Sequence, residues 1–381
     1  MKIVIAPDSF KGSLSSIQVA NAIEQGFRKI IPDAEIIKMP MADGGEGTVE
    51  CLVRATGGKI FREFATDPLG KAIKVHFGVL GDGETIIIEM ASASGIILIP
   101  REKRNPLYTT TYGTGELIRK VLEKGYSKII LGLGGSATTD GGAGAMQALG
   151  IKLLGSDGVN IKQGGLFLKD IEKIDTSEVN KNLQKAEITF MYDVKNPLLG
   201  KKGAAKVYSP QKGASAKEVQ ILENNLEHFS RIVKRDMGKD IVSISGAGAA
   251  GGLGAGLSAI CNSKFAAGIQ LAIKITGLKE HLKNADMVIT GEGELNFQSM
   301  FGKVPAGVAK LAKEMKVPAI CFAGNVERNS EKLYKDYFKK IICLVSSDIS
   351  KEDAIRNAFS ILSSRAEEAA GLFKKGVLFE T

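Results

Sequence analysis

Short aliphatic runs alternate with longer stretches whose apolar positions recur at helical spacing. That alternation predicts layered α/β structure with parallel strands. Ile3, Val4 and Ile5 read as a buried strand over residues 3–6. Ser15 with Gln18 three residues on matches a capping box, and Ile17, Ala20, Ile23, Phe27 and Ile30 line one face of the helix that follows. Pro32 stands just past it; EIIKM (35–39) is a second strand, and MADGGEGT (41–48) is a loop running into a helix. Near Asp67-Pro68 the texture changes, and 73–80 with 85–90 read as a hairpin around Gly81-Asp82-Gly83. A helix over 114–124, the strand KIILGLGG (128–135), an irregular stretch over 151–215 with one strand EITFMYD, and a helix over 216–236 come next. After a glycine-rich stretch at 246–256 the βα rhythm resumes. ADMVITG, VPAICFAG and KKIICLVS are three buried strands, and the last helix spans 351–372.

The pattern therefore predicts two α/β domains. Residues 1–65 plus 283–381 form a doubly wound parallel-sheet domain from both chain ends, and 66–282 form a mixed-sheet domain inserted into it. A length of 381 residues and a hydrophobic content of 44% allow such cores.

Composition narrows the chemistry. Cys51, Cys261, Cys321 and Cys343 are far apart with no CxxC, and His76, His228 and His281 are equally scattered, so a zinc ribbon or redox motif is not expected. Free cysteines, the absence of a leader pattern and the lack of an apolar run of about 18 residues predict a cytoplasmic protein with no membrane partner. The net charge of +9 is spread along the chain without an RNP motif or zinc finger, so nucleic acid is not expected as a partner. A positive field does favour small anionic substrates.

Four polar loops follow predicted strands, where ligands bind in open α/β sheets. DSFKGS (8–13) sets a carboxylate and an ammonium within four residues; either Asp8 is a helix cap, or it takes a hydroxyl proton or holds a metal while Lys11 offsets charge. MADGGEGT brings Asp43 and Glu46 to a helix start, as caps or ligand contacts. GGSATTDGGAG (134–144) combines converging backbone N–H groups, the hydroxyls of Ser136, Thr138 and Thr139, and Asp140, a mixture suited to a magnesium nucleotide or a hydroxylated acid. TGEGELNFQSMFGK (290–303) carries Glu292, Glu294, Ser299 and Lys303 in a segment longer than most βα loops. GAGAAG (246–251) matches G-x-G-x-x-G, with IVSIS as a candidate preceding strand but no acid near 271; Walker A and G-x-S-x-G are absent. The residues point to a two-domain enzyme, a kinase without Walker A. An NAD(P)-dependent oxidoreductase and an inert nucleotide-binding regulator remain as alternatives.

IAPDSFKGS, PMADGGEGT, NPLYTTTYGTGE, GGSATTDGGAG, DVKNPLLG, PQKGA, GAGAAGGLGAG and ITGEGEL…GK together resemble the glycerate kinase family of the bacterial glycerate 2-kinase type, in order from residue 1 to about 350. The resemblance implies ATP-dependent phosphorylation of D-glycerate with Mg²⁺ by a monomer or homodimer. It implies a flavodoxin-like domain and an inserted restriction-endonuclease-like domain, with the active site in the cleft between them. On it rest the expected roles: Asp8, Lys11, Asp193 and Lys303 catalytic; Ser9, Asp43, Glu46, Ser136 and Asp140 on the substrate; Gly134, Gly135, Gly141, Gly142, Gly248, Gly251, Gly252 and Glu292 on the nucleotide; Asp8, Asp193 and Glu294 on the metal. Three positions depart from the family pattern: Thr139 in place of Asn, Ser209 in place of Gly, and Asn296 in place of an Asp that would be a metal ligand or base.

Overall fold

The computed structural model describes residues 1–300, 302–327 and 334–379. The chain opens with β1 (Lys2–Ile5), the helix Ser16–Ile30 and β2 (Glu35–Lys38). After the helix Thr48–Thr56 come β3 (Lys59–Thr66), β4 (Ala72–Val79) and β5 (Thr85–Glu89). Then follow β6 (Lys128–Gly132), the short pair β7 (Lys152–Leu154) and β8 (Lys173–Asp175), β9 (Glu187–Tyr192) and β10 (Asn262–Ala267). β11 (Met287–Leu295), β12 (Ala319–Val326) and β13 (Lys340–Cys343) complete the strands of the described residues.

The chain divides into two compact units: Met1–Asp43 with Glu50–Thr56 and Ala267–Thr381, and Gly44–Val49 with Gly57–Ala266. The first holds a parallel sheet in the order β2-β1-β11-β12-β13. Numbered within the unit this is 2-1-3-4-5, the doubly wound order whose direction reverses between β1 and β11. Apolar runs in its central strands form the core: Ile3, Ile5, Ile289 and Phe322 cluster with Phe27 and Leu362 from the flanking helices. The helix Ser16–Ile30 starts where expected, at Ser15, with both halves of the Ser15–Gln18 box formed. Gly26 lets the helix Ala358–Lys374 lie against it, because a Cβ there would sit 2.3 Å from the Ser363 carbonyl oxygen.

The second unit holds a mixed sheet in the order β10-β9-β6-β5-β4-β3. β3, β4 and β5 pair antiparallel, while β5, β6 and β9 pair parallel. Ile86, Ile88, Leu131, Ile188 and Phe190 bury its inner face against Leu117 and Leu253. Among the described residues, no helix is long and apolar enough to cross a membrane.

One strand has no counterpart in the sequence reading, and three expectations fail locally. KIFREFAT forms β3, an edge strand whose exposed Ile60, Phe61 and Phe64 break the buried-run signature. IVSIS is not a strand: the Asp240 carboxylate accepts from Val242 N and Ser243 N and turns the chain, so GAGAAG lacks the strand a dinucleotide fingerprint needs. TGEGEL is not loop but the second half of β11, paired with β12 as far as Leu295 beside Val326. Only Asn296 to Lys303 connect it to the next helix, and Phe301 of that segment lies outside the described residues. The last helix is two, Lys351–Arg356 and Ala358–Lys374, separated at Asn357.

Candidate functional site

In the first unit, Asp8 lies just past the carboxyl end of β1. Its amide N–H donates to the Gly291 carbonyl of β11 at 2.8 Å, so main-chain bonds fix where the side chain starts. Phe10 is buried beneath the turn, and Gly12 takes φ +79° to close it. The sequence of DSFKGS thus divides by burial: Phe10 anchors, Asp8 and Ser9 are half-buried, and Lys11 is exposed. Ser9 N–H donates to Asp8 Oδ1 at 2.6 Å.

From β11, Glu292 joins this end of the sheet. It is buried and ion-paired through Oε1 with Lys303 Nζ at 2.6 Å. Its other oxygen, Oε2, is buried without a hydrogen-bond partner among the described residues. Loss of water at Asp8 lifts its carboxyl from 3.8 to about 7; Glu292's charge adds to the rise, while the Ser9 N–H and Lys303 oppose it. A half-ionised carboxylate, an orphaned carboxylate oxygen and an ammonium therefore meet at the β1–β11 reversal of strand order, where doubly wound sheets bind ligands. Glu294, two residues further along, is exposed and engaged elsewhere. Asn325 Nδ2 at 3.1 Å and Lys351 Nζ at 3.2 Å hold its carboxyl below the usual range.

Among the described residues, no cluster of three or more His, Cys, Asp or Glu is arranged for a metal. Glu292 nonetheless fits Mg²⁺, which takes one or two carboxylates and completes its shell with water and substrate phosphates. The unpartnered Glu292 Oε2 is the observation that supports the fit. Asn296, the departure from the family pattern, closes a turn: its Oδ1 accepts from Ser299 N–H at 3.2 Å.

In the second unit, the GGSATTDGGAG loop follows β6. Asp140 is fully buried, and its Oδ2 accepts from Thr111 N and Oγ1, both at 2.8 Å, and from Gly144 N at 3.3 Å. Burial raises its carboxyl against those bonds. Its geometry is that of an anchor joining this loop to the start of the helix Tyr112–Glu123. Gly141, Gly142, Gly248, Gly251 and Gly252 are buried as well. What approaches them is the chain itself: Gly141 N donates to Gly251 O at 2.9 Å, and a Cβ on Gly251 would sit 2.1 Å from Thr138 O. Gly134 is half-buried against Gly44 and Gly45, and the exposed Gly135 leaves the loop open at that point.

The remaining predicted residues are scattered between the units. Asp43 is half-buried in the first, Glu46 is exposed in the second, and Gly44 O accepts from Gly134 N at 3.0 Å. Asp193, half-buried after β9 in the second unit, helps burial push the Tyr208 hydroxyl up to about 12. The motif reading passed over Lys212. This lysine is buried, and Nζ donates to Ser136 Oγ at 2.7 Å and Thr138 O at 2.6 Å. The only signal in the sequence was a lysine in the glycine-flanked run SPQKGA.

Comparison with known proteins agrees across the chain. A sequence profile described as the glycerate kinase family matches residues 3–374. A glycerate kinase of Halalkalibacterium halodurans is 46% identical over 97% of both chains. The glycerate 2-kinase of Escherichia coli is 44% identical over 99% of both. A solved structure described as a glycerate kinase 2 from Salmonella typhimurium LT2 superposes with a TM-score of 0.85 at 44% identity, covering 99% of each chain.

Proposed function

The chain belongs to the glycerate kinase family, and from that premise we propose that it phosphorylates D-glycerate with ATP and Mg²⁺, favouring the 2-hydroxyl. It is an enzyme of that family, a kinase. The observation that carries the finer reading is Asp8 beside the Glu292–Lys303 ion pair. Phosphoryl transfer asks little covalent chemistry of the protein; alignment and charge compensation dominate.

Asp8, at about 7, is matched to accept the proton from an attacking hydroxyl near neutral pH. Ser9 N–H steadies its ionised form through Oδ1. Lys303 offsets negative charge on the moving phosphoryl, with the exposed Lys11, on the Asp8 turn, as the second cation. Mg²⁺, were it held through the unpartnered Oε2 of Glu292, would neutralise phosphate oxygens. For the nucleotide, the exposed Gly135 is the part of the glycine loops still open to a ligand.

The test is coupled ADP release on addition of D-glycerate, followed by NMR of the product. One ADP per 2-phosphoglycerate is expected. No glycerate-dependent ADP, or hydride exchange with NAD(P) instead, refutes the reading; a 3-phosphate product corrects the position.

A further inference from the structure

Three consecutive polar positions of the second unit's loop have been fixed by different partners. Thr138 Oγ1 donates to Thr109 O at 2.9 Å, and Thr139 Oγ1 meets Ser209 Oγ at 3.0 Å; both threonines are 0% exposed. Ser136 keeps 9% exposure and adjoins the exposed Gly135. Its Oγ accepts from Lys212 Nζ at 2.7 Å. An ammonium has donors only, so the serine oxygen it touches must accept and the serine's own proton must point elsewhere. Among the described residues no acceptor takes that proton, although Ser136 is nine-tenths buried. A hydroxyl donor left unmet in so buried a place is costly unless a ligand completes it.

We propose that Lys212 is a positioning residue: its bond to Ser136 Oγ turns the Ser136 O–H toward the open end of the loop, as a donor to an anionic oxygen of a substrate. The two anions in question, the glycerate carboxylate and an ATP phosphate, share that chemistry. The inference rests on the kinase reading above.

The turn that carries Lys212 is itself rigid. Pro210–Lys212 is a single 3-10 turn ending at Gly213, whose φ is +101° and whose Cβ would sit 2.2 Å from Arg104 O. The charge acting on Lys212 is Asp140, on the same loop as Ser136; Arg104 meets the turn through its backbone and Cβ, and Ser209 and Thr139 are neutral. Burial draws the ammonium down from 10.5 to about 7, against Asp140's pull. Once Lys212 is neutral it can accept from Ser136, and the outward donor is lost. Ligand binding to the outward O–H therefore favours the protonated lysine.

Steady-state kinetics on Ser136→Ala, Lys212→Met and the double variant, with D-glycerate and ATP varied in turn, tests this. Each single change should raise KM for the same substrate about ten-fold, the scale of a hydrogen bond to a charged group, with kcat nearly unchanged. The double variant should be no worse than either single one. The substrate whose KM moves identifies the anion. Independent effects that multiply, an effect of Lys212→Met on kcat alone, or an unaffected Ser136→Ala overturns the proposal. If Lys212→Met fails to fold, calorimetry of each substrate in buffers of differing ionisation enthalpy near pH 8 supplies the second readout. The wild type should take up protons on binding the affected substrate, and Ser136→Ala should not; equal uptake by both overturns it. Wild-type turnover tests the kinase reading separately, and the calorimetry needs none.

Discussion

Asp8 is the residue at which stability and activity pull apart. Its folded value of about 7 stands above the ordinary 3.8, so the folded chain holds its proton over a range where the unfolded chain has lost it. The stability that this proton contributes is complete below about 3.8 and is lost as pH rises through about 7. Asp8→Asn removes the ionisation and keeps the shape. The variant should therefore melt higher than the wild type at pH 8, and the gap should close toward pH 4. Thermal melts at the two pH values read this directly; a variant less stable at pH 8 refutes the burial of charge at this position. The same group sets the activity profile. If Asp8 accepts the hydroxyl proton, kcat/KM should rise as pH passes through about 7 and level off above it. A profile flat from pH 6 to 8 removes Asp8 as base.

At the scale of elements, the helix Ser16–Ile30 was legible to its first residue, because Ser15 and Gln18 satisfy the free N–H groups in a way the sequence states outright. The parallel strands were legible for a related reason: strands covered on both faces carry continuous apolar runs, as Ile3 to Ile5 do. β3 was not, since an edge strand is under no such demand. The full length of β11 was hidden by its content, as Glu292 and Glu294 read as loop chemistry although both lie in a paired strand. The glycine-rich loops misled in the other direction. Their glycines predicted a cradle for a ligand, and several instead admit the chain's own backbone, as Gly251 does for Thr138. Gly26 gives the sharpest test of packing between elements. Gly26→Val forces the helices Ser16–Ile30 and Ala358–Lys374 apart at Ser363 and should cost about 1–3 kcal/mol in denaturant unfolding. An unchanged midpoint means the two helices do not pack as closely as described.

At the scale of the whole molecule, the family could be read from eight motifs in order, and a parallel sheet from the aliphatic strands at both chain ends; its order, 2-1-3-4-5, is given by the structure alone. What no spacing revealed was which acids share an environment. Asp8 stands far from Glu292 and Lys303 in sequence and is joined to them only because β1 and β11 are neighbours in the sheet. Glu294, alike in sequence, is turned to Asn325 and Lys351. The central claim is that the Asp8 cluster, not Glu294, carries the transfer of the phosphoryl group. Glycerate-dependent ADP release by Asp8→Asn, measured beside Glu294→Gln with circular dichroism showing both folded, tests it most directly. The account predicts a fall in kcat of roughly 10²–10⁴ for Asp8→Asn and less than about three-fold for Glu294→Gln. Wild-type turnover by Asp8→Asn, or the larger loss at Glu294→Gln, contradicts it.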